Sequence, residues 1–149
     1  MKRTHLLHLY IFLSLLMLTV SCDKWPENGD LDGQWQLMSM EQGDVRTDTK
    51  AQHIYWCVQL DLIQLNGEDT YYAHFQHTGN TLSLKHLSFP AKYESATDDN
   101  LRLTAEEVST LLPPYGIKQF DPVFIVVRLN SSTLILRSED GTILRFRKF

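Results

Sequence analysis

The chain has 149 residues, two cysteines and a formal net charge of −4. That length suits one domain with one hydrophobic core, and the acidic balance argues against a nucleic-acid partner, because such binding rests on Lys and Arg releasing counterions. No charge run, low-complexity tract or long internal repeat interrupts the sequence, which excludes solenoid and disordered-tail organisations.

At the N-terminus Lys2-Arg3 precede an apolar run over residues 6–20, then Ser21 and Cys22. A basic start, a greasy centre and a small residue at the cut are the parts of a secretory leader. The run is shorter than the roughly 20 residues needed to span a bilayer. Leu18-Thr19-Val20-Ser21-Cys22 resembles a lipobox, in which cleavage precedes a cysteine whose sulfur and new amino group then carry acyl chains. Residues 1–21 are therefore expected as a lipoprotein signal peptide, with Cys22 as the lipidated residue. Two or three acyl chains make such attachment effectively permanent, where a single chain holds only reversibly. Without Lys2 and Arg3 the mature chain keeps 12 of the 14 basic residues against 18 acidic ones, a formal charge of −6. Lipidation of Cys22 leaves Cys57 alone, so no intrachain disulfide is expected. Residues 22–30 read as the lipidated cysteine and a polar tether, whose eight residues after Cys22 reach about 26 to 29 Å when fully extended.

From Leu31 onward apolar residues alternate with period two between recurrent turn signals, which predicts an all-β domain over residues 31–149. Strands are expected near residues 31–40, 53–65, 70–78 and 81–89, with a weaker one around Leu101. Three more follow near 123–129, 133–138 and 142–149. Asn66-Gly67, Gly79-Asn80, Asn130-Ser131 and Asp140-Gly141 fall between these runs as hairpin turns, favouring an antiparallel meander. In the second run Ile54, Trp56, Val58, Leu60 and Leu62 share one face, so the sheet covers a core on one side. In the fourth, Leu82 and Leu84 lie in one phase and Leu87 and Phe89 in the other, as a β-bulge produces. Thr104 with Glu107 forms a capping box that opens a short helix before the sixth strand, and Pro113-Pro114 ends it.

Gly33-Gln34-Trp35 at the start of the first exported strand, followed by about eight strands, resembles the lipocalin barrel. The export signal and the ending Asp140-Gly141-Thr142-Ile143-Leu144-Arg145-Phe146-Arg147-Lys148-Phe149 narrow the resemblance to small lipocalin-like lipoproteins of Gram-negative bacteria. It covers residues 31–149 and implies an eight-stranded antiparallel barrel. It further implies that Trp35 packs under the barrel floor with an arginine of the last strand across it, Arg145 or Arg147, a cation–π contact. An eight-stranded barrel either fills with side chains or holds one small ligand, and the sequence leaves both open.

The remaining chemical candidates each have a plain structural reading. His74 and His77 would chelate a metal on a helix, but on a strand that spacing points them to opposite faces; His53 and His86 stand alone. Cys57 lies within a strand and reads as an inert thiol rather than an activated one. Glu106 and Glu107 complement a helix dipole. Asp98-Asp99-Asn100 lacks the spacing of a calcium loop, and Asn130-Ser131-Ser132 matches a glycosylation pattern but reads as a turn. No catalytic constellation, metal set or cofactor motif stands out. The expected protein is a lipid-anchored envelope lipoprotein, at the outer membrane by the family resemblance, whose barrel binds a small apolar or amphipathic molecule. The alternative is a filled-barrel interaction module with an envelope protein partner, which exposed aromatics near Trp25, Pro113 and Tyr115 would favour. An envelope enzyme would instead need histidines or carboxylates converging at the barrel mouth.

Overall fold

The computed structural model describes residues 27–90 and 101–149. Among these residues nine antiparallel strands follow in chain order: β1 (Gly33–Gln42), β2 (Val45–Asp48), β3 (Tyr55–Gln59), β4 (Leu62–Asn66), β5 (Thr70–Thr78), β6 (Thr81–Ser88), β7 (Val123–Leu129), β8 (Thr133–Ser138) and β9 (Ile143–Lys148). Each of β3 to β8 pairs with the next strand, and β1 pairs with both β3 and β9, so eight strands close into a barrel. Among the described residues the α-helix α1 (Ala105–Leu111) lies between β6 and β7, the fifth and sixth barrel strands.

Short β2 is an addition to that barrel. β1 gives its edge to β3 from Gly33 to Gln36 and then to β2 from Ser39 to Gln42. Thr49 makes the changeover, donating from its backbone N to Met38 O at 3.0 Å and from its hydroxyl to Leu37 O at 2.9 Å. Every residue of β2 is exposed, so no alternation announces it.

Two expectations need correction. The run 53–65 is two strands, because the chain reverses at Leu60-Asp61, where Gln59 pairs with Leu62 and Leu60 takes a φ of 57°. The reversal shifts the inward face from Ile54, Trp56 and Val58 to Ile63 and Leu65, leaving Leu60 half exposed. Around Leu101 the described residues form no strand, only a bridge between Ser88 and Arg102. The other features stand as read. All four turn signals join consecutive strands. The fourth run carries its bulge, since Tyr72 pairs with Ser88 while His74 pairs with Lys85, one residue extra on β6. Thr104 and Glu107 form the reciprocal capping box, and Pro113–Tyr115 continues as a 3-10 turn.

The core is the barrel interior. Side chains from every barrel strand meet those of α1 and the turn after it, including Val108, Leu112, Tyr115 and Ile117. Each fully buried large apolar side chain contributes about 1.5 to 3 kcal/mol.

Candidate functional site

The barrel floor is built on β1 and β9. Trp35 is fully buried, and its indole N–H donates to Leu31 O at 2.7 Å. Across the ring lies Lys148, its Nζ 4.8 Å from the ring centre and donating onward to Asp30 O at 2.8 Å. Gly33 admits this lysine, for a Cβ there would sit 2.9 Å from Lys148 Cε, at a φ of +117°. The expected arginine is therefore a lysine. Arg147 reaches Gln36 Oε1 at 3.3 Å and Arg145 reaches Glu41 at 3.4 Å, both away from Trp35. Parity explains the exchange: Leu144 and Phe146 point inward, which turns Arg145 and Arg147 outward and brings Lys148 back to the Trp35 side. The end of the expected tether is fastened to the same floor, because Asn28 Nδ2 donates to Leu60 O at 2.7 Å.

Above the floor Trp56 fills the middle. Its ring centre lies 5.7 Å from Phe124 and 5.1 Å from Phe146, at the tilted angles aromatic pairs prefer. The indole N–H donates to Tyr115 O at 3.1 Å, tying the core to the turn after α1. Tyr115 in turn packs on Gly67, where a Cβ would meet its ring at 2.9 to 3.0 Å. Its hydroxyl donates to Asp69 O at 2.6 Å and accepts from Asp69 N at 3.1 Å. Burial pushes the Tyr115 phenol up, as it does that of Tyr71 beside it. A ligand-sized void would leave accessible surface on the side chains around it, yet Leu37, Trp56, Ile63, Leu65, Leu82, Leu84, Leu136 and Leu144 each expose 0%. The interior is packed.

A model of the lipocalin-like domain matches residues 16–149. The chain belongs to the lipocalin-like domain family. Its fold is similar to a lipocalin-like protein from Bacteroides uniformis, at 23% identity and a TM-score of 0.57 over 81% of this chain and 100% of that one. A protein from Bacteroides eggerthii (21% identity, TM-score 0.54, 79% and 98% covered) and one from Burkholderia xenovorans (14%, 0.51, 79% and 82%) share it. No curated protein matches the chain.

On the lipocalin-like barrel the other candidates separate. His74 is on the outer face, its Nδ1 3.0 Å from Asp61 Oδ2, with the two side chains 53% and 74% exposed. His77 is half buried, and its Nε2 has no hydrogen-bond partner among the described residues. His53 is exposed in a left-handed turn. Among the described residues no three His, Cys, Asp or Glu converge as a metal would require. Cys57 is partly covered, and burial pushes its thiol up against the lowering effect of a 3.4 Å hydrogen bond from Asn66, so it is a poor nucleophile. Glu107 closes the capping box, and Glu106 stays exposed in the helix's first turn. Asn130 accepts from the backbone N of Ser132 and Thr133, as a turn residue does. Tyr115, whose exposure would have favoured an aromatic interaction face, is buried. Cys22, Trp25 and Asp98-Asp99-Asn100 lie outside the described residues.

Sequence reasoning missed what the outer wall offers. His86 sits on the β6 bulge beside His74, and Arg102 faces Ser88 across the isolated bridge. Residues twelve or more apart meet there through register alone, and no local pattern signals it.

Proposed function

We propose that this protein is an envelope lipoprotein, tethered through acylated Cys22 at the outer membrane, whose lipocalin-like barrel is a filled scaffold that works through its outer surface on an envelope protein partner. The packed interior carries this reading. Trp56 and Tyr115 occupy the space a cargo would need, and each is hydrogen-bonded in place. Admitting a ligand would break those bonds and strip apolar burial from the turn after α1, and an unpaired buried donor costs about 1 to 3 kcal/mol. The leader pattern and Cys22 support the tether.

Native mass spectrometry of the chain, released gently from its host envelope in detergent, tests the filled barrel. The expected result is one protein mass, with any acyl mass covalent and retained on denaturation. A reproducible extra mass that leaves on denaturation would overturn the filled barrel in favour of a carried apolar or amphipathic molecule.

A further inference from the structure

The chain is acidic overall, yet basic side chains gather on one patch of the outer wall. The β6 bulge places His86 at a φ of 53°, a left-handed backbone that a non-glycine residue rarely adopts. Bulges re-aim side chains, and here the imidazole turns outward with its ring centre 6.0 Å from that of His74, nearly perpendicular to it. The segment after the undescribed residues 91–100 is fixed alongside. Phe89 N donates to Leu101 O and Leu103 N to Leu87 O, both at 2.8 Å, which sets Arg102 opposite Ser88. His74, His86, Ser88, Leu101 and Arg102 line an open hollow of about 450 Å³. A smaller hollow of about 150 Å³ shares His86 and Arg102 and adds Lys85. Among the described residues, the acids facing the patch are Asp61, held by His74, and Asp121 at the edge of the smaller hollow.

We infer that this hollow binds a small tetrahedral oxyanion, a phosphate or sulfate group. The planar fork of Arg102 suits such a group and keeps its charge at every physiological pH. Ser88 offers a hydroxyl donor. His74 and His86 add charge only when protonated, and while Nδ1–H of His74 donates to Asp61, its Nε2 is a donor to an anion only in the imidazolium form. Binding therefore strengthens on acidification and weakens with salt, since the patch is exposed. The inference rests on neither the filled interior nor the anchor.

The full chain, 15N-labelled in detergent, is titrated with sodium sulfate at constant ionic strength, at about pH 5.5 and about pH 8. Sulfate carries the same charge at both, so any difference belongs to the protein. Saturable amide shifts confined to His74, Lys85, His86, Leu87, Ser88, Leu101 and Arg102 are expected, with affinity roughly five-fold higher at the lower pH. Arg102→Gln abolishes them. His86→Asn, a residue that tolerates left-handed backbone, keeps the bulge and removes most of the pH gain; it decides the matter alone if Arg102→Gln unfolds. Shifts that do not saturate, that spread over the whole basic surface, that survive both substitutions, or that arise only with phosphatidylglycerol vesicles overturn the inference.

Discussion

Lys148 crosses Trp35 because a flexible four-carbon stem at the rim can lie on the indole while its ammonium reaches a backbone oxygen outside. Trp35→Ala should cost about 3 to 5 kcal/mol, and Lys148→Gln about 0.5 to 1 kcal/mol from the lost cation–π contact. Arg145→Gln and Arg147→Gln should each stay within about 0.5 kcal/mol, as substitutions on the outer surface do. Urea denaturation of the four variants separates the two assignments. A second residue-scale effect sits at Asp140. Its carboxylate accepts from the Ser138 hydroxyl, from Thr142 N at 3.0 Å and from Lys118 Nζ at 3.1 Å. The Ser138 bond chiefly, then the Thr142 and Lys118 bonds, hold its pKa well below the usual carboxylate range against partial burial. A pKa depressed in the folded state adds stability above the unfolded value, near 4. That stability is lost as pH falls from there toward the folded value. Asp140→Asn should thus lower stability at neutral pH and flatten its fall between about pH 4 and pH 2, as urea midpoints across that range will show.

Helix α1 adds Val108 to the core, and its start depends on one reciprocal pair. Thr104 Oγ1 accepts from Glu107 N at 3.3 Å, and Glu107 Oε2 accepts from Thr104 N at 2.8 Å. Thr104→Ala should cost about 1 kcal/mol, seen as a lower urea midpoint at unchanged slope. That capping box was legible in the sequence because its signal is local, as were the four hairpin turns and the β6 bulge. β2 was not, since a strand with no buried residue has no period to read. The reversal at Leu60-Asp61 was hidden for a different reason: apolar alternation runs straight through it, with no Gly, Pro or Asn to mark it. At the floor, Gly33 and Trp35 were legible from motif, while the choice between arginine and lysine turned on strand parity, which a shared-face argument for Arg145 and Arg147 leaves open. His86 and Arg102 were not legible together, because only pairing between distant segments joins them.

At the scale of the whole molecule, the barrel and the proposed anchor make separable claims. Cells fed an alkyne analogue of palmitate should label the parent chain and leave Cys22→Ser unlabelled, while the released barrel of both unfolds at the same urea concentration. Label on Cys22→Ser would place the acyl group elsewhere. Closure of the barrel itself joins β1 to β9, with Phe149 N donating to Gln34 O at 2.8 Å just past the last paired residues. The first strand of the barrel thus waits for its last, and the seam is the strand pairing of longest sequence separation among the described residues. Loop-closure entropy makes such pairings slow. During synthesis an N-terminal portion of any length short of β9 has an unpaired β1 edge and an uncovered Trp35. The chain therefore cannot lock into its final form before residues 143–148 emerge, and such late closure would keep it threadable through the export channel that the proposed envelope location requires.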